Sequence, residues 1–84
     1  MKSMFLIRGN ICGDRVRIGR AMLNITQEEL AQRIQRLGLS MTKMIVYSIE
    51  KKERHVCDAE LCALAKALGV SMDWLVGNTE LLKK

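Results

Sequence analysis

The sequence predicts an all-α fold of five short helices, and three observations carry that prediction. No proline occurs anywhere in the 84 residues. Apolar residues recur at spacings of three and four, which gathers them on one face of each helix. The strongest breaks, Gly38, Gly69 and Gly77, stand beside short polar residues, as turns between helices require. With 49% hydrophobic and 27% charged residues the chain has the make-up of one small folded domain rather than a disordered one. Residues 10–77 are read as that domain, residues 1–9 as an N-terminal arm and residues 78–84 as a C-terminal tail.

The first helix is expected to start after Asn10, a good N-cap residue, with Cys12, Val16 and Leu23 on its inner face. Arg20 falls on that same face, and an inward arginine needs a partner. The second helix starts with Thr26, Gln27, Glu28 and Glu29, a capping box in which the Thr26 hydroxyl and the Glu29 carboxylate satisfy each other's backbone amides. Leu30, Ala31, Ile34 and Leu37 form its buried stripe. Gly38 is expected to end it as a left-handed cap, residues 39–41 make the turn, and Thr42 caps the next helix.

That third segment is ambiguous by propensity, because Met44, Ile45, Val46 and Tyr47 read as the centre of a strand. As a strand it would leave apolar residues on both faces with no second strand to pair with. As a helix it directs Val46 and Ile49 to the core and Lys43, Met44, Tyr47, Ser48 and Lys51 outward, so tertiary context favours the helix. After a charged loop at residues 51–55, a fourth helix is expected from about Asp58, with Leu61, Leu64, Ala65 and Leu68 buried and its stop at Gly69. A fifth begins at Ser71, with Asp73 near its positive end and Trp74 and Leu75 as anchors. The tail either extends the fifth helix, frays, or joins a dimer contact.

The net charge of +5 and pI near 9.5 favour polyanionic partners without choosing among them. Three cysteines, Cys12, Cys57 and Cys62, lack metal-type spacing and are read as small buried hydrophobes in a reducing cytoplasm. His55, Cys57 and Cys62 would leave a metal one ligand short, so no metal and no other cofactor is expected. The apolar stretch at residues 4–7 is far below the ~20 residues that span a bilayer, and no membrane association or secretory leader is expected. The arm reads as frayed or packed on the domain. One histidine, no glycine-rich phosphate loop and no nucleophile–base pair argue against an enzyme, and no small-molecule ligand is evident.

A capped second helix, a turn and an outward-facing third helix together describe a helix-turn-helix DNA reader. Residues 11–77 resemble the Cro and phage-repressor family of transcription regulators, the lambda-repressor-like or XRE-type fold. The resemblance rests on Arg15-Val16-Arg17 with Arg20, on Ile25-Thr26-Gln27-Glu28-Glu29-Leu30-Ala31, on Ile49-Glu50, and on the run from Ala65 through Gly69, Val70 and Ser71 to Asp73-Trp74-Leu75. It implies an ion pair between Arg20 and Glu50, which answers the inward arginine. It also implies a phosphate contact at Gln27, base or nearby phosphate contacts at Thr42, Lys43, Met44, Tyr47 and Ser48, and backbone clamping by Lys51, Lys52 and Arg54.

Four features depart from the family pattern. The second helix and turn are longer than in the shortest members. Lys52 stands where a glycine usually follows the third helix, so either the cap differs or Lys52 takes a left-handed backbone. Cys57 stands where Ser or Thr often caps the fourth helix, leaving Asp58 as the substitute. The third helix also lacks Asn, Gln and Arg, the bidentate readers of purines, so Lys43 is its obvious guanine contact. Met44, Ile45 or Tyr47 would pack on thymine methyls, Ser48 would add a tolerant hydrogen bond, and DNA shape would supply further specificity.

The expected function is a sequence-specific regulator, a repressor, binding double-stranded DNA as a two-fold homodimer at least on its operator. The alternative is an antitoxin-like or anti-regulator module that offers Met44, Ile45 and Tyr47 to another protein.

Overall fold

The computed structural model describes residues 9–83. The arm expected at residues 1–9 lies outside the described residues apart from Gly9, as does Lys84 of the tail. The described residues form five helices and no strand: α1 Gly13–Leu23, α2 Gln27–Arg36, α3 Lys43–Glu50, α4 Asp58–Leu68 and α5 Met72–Leu75.

Side-chain caps set most of the helix starts. Thr26 accepts from the Glu29 amide at 3.0 Å while Glu29 accepts from the Thr26 amide at 2.7 Å, closing the capping box of α2. The Thr42 hydroxyl accepts from the Ile45 amide at 3.1 Å, and Ser71 does the same for Trp74 at 3.0 Å. Gly38 turns the chain out of α2 at φ +94, a conformation that costs a residue with a Cβ.

Two starts differ from expectation. α1 begins at Gly13 rather than directly after Asn10, yet the Asn10 side-chain oxygen Oδ1 still accepts from the Cys12 and Gly13 amides at 3.1 and 2.9 Å. At α4 the cap position belongs to Cys57, whose amide donates to Glu60 at 3.1 Å; Asp58 only receives the adjacent Ala59 amide. Cys57 is therefore exposed and Cys62 half-buried, and only Cys12 behaves as a small core residue. Burial pushes the Cys12 thiol up to about 11, so it stays protonated and inert.

α1 packs on α3, α4 and α5, α2 packs on α3 and α4, and α4 packs on α5. Val16, Leu30, Ile34, Val46, Ile49, Leu64 and Leu75 have no accessible surface and form the centre. Val46 and Ile49 explain why α3 is helical: burying each is worth about 1.5–3 kcal/mol, against a β-propensity scale spanning only about 1 kcal/mol.

The stripes of α1 and α2 stop one residue short of expectation, for Leu23 and Leu37 are exposed. Leu23 ends α1 on the wall of a surface cleft shared with Arg33 of α2 and Lys66 of α4, and Leu37 already lies in the turn at the end of α2.

Two glycines permit close packing. A Cβ on Gly13 would collide with the Ile49 carbonyl oxygen and with Cγ of Lys52, and one on Gly19 would stand 3.3 Å from Leu68. The tail does not continue α5, which is only four residues long. It turns back instead, and Arg15 holds it there. The guanidinium lies 4.9 Å over the Trp74 ring and donates to the Trp74 and Thr79 carbonyls, each at 3.1 Å, and to Glu80 at 2.9 Å.

Candidate nucleic-acid interface

With Val46 and Ile49 in the core, the opposite face of α3 looks outward. Lys43, Met44 and Tyr47 are exposed, Ser48 is half-buried, and Thr42 at the cap is exposed. Met44 retains 68% of its surface. Ile45 differs from expectation, because it is half-buried against the core. The outward apolar surface thus reduces to Met44 and Tyr47, and Lys51 lies 5.8 Å over the Tyr47 ring.

The far end of α3 is held by a polar cluster drawn from three helices. Glu50 is paired two-pronged with Arg20, Nε to Oε2 at 2.7 Å and Nη2 to Oε1 at 3.0 Å. The remaining Arg20 nitrogen donates to the Ile25 carbonyl at 3.0 Å, and Gln27 Nε2 donates to Glu50 at 3.1 Å. Only 5% of the Glu50 side chain and 20% of that of Arg20 reach solvent, which separates this pair from an ordinary surface bridge. Its hydrogen bonds to Glu50 hold the Arg20 guanidinium above its already high ordinary pKa. The buried Asn10 amide adds a second tie, donating to the Ile49 carbonyl at 2.8 Å. The outward side chains of α3 consequently stand on an element fixed against α1 and α2.

Gln27 thus has one donor engaged inside the protein. With Tyr47, Lys51 and Lys52 it lines one open cleft against α1. Lys52 takes the left-handed backbone at φ +60 in the glycine position, and its ammonium pairs with Asp14 at 3.0 Å. Arg54 is not part of this cleft. It turns toward α4 and pairs with Glu60 at 3.1 Å, with Nη1 buried and unpartnered among the described residues. Burial raises the Glu60 pKa, but the Cys57 amide and the Arg54 guanidinium outweigh it and hold the carboxyl below its ordinary 4.5.

Sequence reasoning missed two residues here. Gly13 lets α1 meet the end of α3, and nothing in a lone glycine within a helix signals such an approach. Arg17 lines the same cleft. Its position three residues before Arg20 was a usable signal, since that spacing places the two on adjacent parts of one helix surface. No helix of the described residues is long and apolar enough to cross a membrane.

Residues 16–75 match the family model described as helix-turn-helix. Among solved structures the chain is similar to the P22 c2 repressor protein, determined in complex with the synthetic operator 9T in the presence of Tl+. The two share 27% sequence identity with a TM-score of 0.70, over 83% of this chain and 98% of that one. A comparison with curated protein sequences finds no match.

Proposed function

Because the chain belongs to the helix-turn-helix family of Cro and phage repressors, we propose that it is a sequence-specific repressor that places α3 in the major groove of operator DNA. The observation that carries this reading is the outward face of α3 held rigid by the buried Arg20–Glu50 pair. Fixing the helix backbone beforehand removes its ordering cost from the binding step, and α3 is capped by Thr42 at its start and tied through Glu50 at its end.

Lys43 supplies the purine contact, Thr42 and Ser48 supply hydroxyls, and Met44 and Tyr47 pack on thymine methyls. Backbone phosphates fall to Gln27, Lys51 and Lys52, with Arg54 joining only if it leaves Glu60. Two copies cover half-sites about one helical turn apart, bringing the domain of residues 10–77 to each. The setting is the cytoplasm. The protein-interaction alternative is not favoured, since Ile45 is withdrawn from the patch it required.

A salt titration tests the reading. Binding to an operator duplex should weaken steeply as salt rises, because each neutralised phosphate releases counterions. Absence of salt-dependent binding to the duplex would overturn the DNA reading.

A further inference from the structure

The cleft between α1, α2 and α3 holds four cationic side chains and two carboxylates, and its internal pairing is uneven. Arg20 is committed to Glu50, and Lys52 to Asp14. Arg17 is exposed and has no ion-pair partner among the described residues, while Lys51 meets the Tyr47 ring rather than a carboxylate. Gln27, on the same wall, has an amide hydrogen to spare beyond the one given to Glu50. What remains is a concave surface with two cations free of carboxylates and a neutral donor, facing the side on which α3 presents its outward residues.

We propose that this cleft seats a single DNA phosphodiester, with Arg17 supplying the free guanidinium and Asp14 restraining Lys52 as a built-in brake on affinity. The proposal rests on the DNA-binding reading above. A phosphodiester carries one negative charge and two accessible oxygens, which a guanidinium fork and a neighbouring amide match in geometry. Lys52 is poised beside them: its left-handed backbone and the absence of a side chain on Gly13 let its stem lie across the start of α1, where Asp14 captures the ammonium. Seating a phosphate there must either share Lys52 with Asp14 or draw it away. The Asp14 carboxylate therefore opposes binding both by holding the cation and by its own charge.

The test measures the affinity of purified protein for an operator duplex obtained by selection and for a scrambled duplex of equal length, across a range of salt. Arg17→Gln should weaken both duplexes alike, by about tenfold, and make the slope of log affinity against log salt shallower by about one. Asp14→Asn should tighten both by about threefold and steepen the slope, and the double variant Asp14→Asn/Lys52→Gln should cancel that gain. An unchanged salt slope in Arg17→Gln, with normal folding and normal wild-type binding, would overturn the phosphate seat while leaving the DNA reading intact. A loss confined to the operator would mean that Arg17 reads bases, and weaker binding by a folded Asp14→Asn would remove the brake. Wild-type protein that bound neither duplex in a salt-dependent way would defeat the DNA reading itself.

Discussion

Arg20→Ala removes one side of the pair that fixes α3. Among the described residues Glu50 would keep only the Gln27 amide as a side-chain hydrogen-bond partner, and 5% of its side chain is exposed. Stranding one partner of a buried pair costs about 3–5 kcal/mol. The lower end applies here, because Arg20 is 20% exposed and water can enter the space it leaves. For a domain of this size, about 3 kcal/mol lowers Tm by roughly 12–24 °C. Thermal unfolding followed by circular dichroism measures this, and gel shifts below the lowered Tm should show weaker operator binding too, since α3 loses its anchor. Replacing both partners with apolar residues, Arg20→Met with Glu50→Leu, should recover most of the lost stability, because no charge is then left buried. A Tm drop under about 4 °C in Arg20→Ala would mark the pair as no better than one at the surface.

Gly13→Ala improves helix propensity but drives a Cβ into the Ile49 carbonyl and Lys52, so urea denaturation should show a loss of about 1–3 kcal/mol; a gain of the ~0.5–1 kcal/mol usual for this substitution would contradict the close approach. The Glu60 carboxyl, held below its ordinary 4.5, contributes stability that is full above that value and is lost as pH falls through its folded-state pKa. Glu60→Gln should therefore lower Tm by about 4–8 °C at pH 7 and approach wild type in acid, whereas parallel Tm curves down to pH 3 would remove that contribution.

The helices and their order were legible because local chemistry agreed with the fold at nearly every step. Thr26, Thr42 and Ser71 cap where a short hydroxyl precedes an apolar run, and Val46 and Ile49 are separated as a helix requires. The inward Arg20 was also legible, though its partner came from the family resemblance and not from spacing. What the sequence left hidden depends on where helices end against one another. Leu23 and Leu37 continue their stripes in register yet stay exposed, each on the wall of a surface cleft beside α4 rather than beneath it, which periodicity alone does not reveal. Lys52, Arg54 and Gln27 share a basic or amide character that says nothing about internal partners, and each has one: Asp14, Glu60 and Glu50. Arg54 in particular reads as a backbone clamp in sequence and is turned toward α4 in three dimensions. Gly13 escaped notice because its role is set by a carbonyl on a helix 36 residues away in the chain.

We assign the reading of DNA to the outward face of α3. Selection of bound duplexes from a random pool, repeated with Lys43→Ala and Tyr47→Ala, tests it most directly. A two-fold-related motif with half-sites about one helical turn apart is expected, with a relaxed preference at a guanine in Lys43→Ala and at a thymine in Tyr47→Ala. Both side chains are exposed, so neither substitution should disturb the fold. Recovery of the same motif with the same affinity from wild type and both variants would show that neither side chain reads DNA.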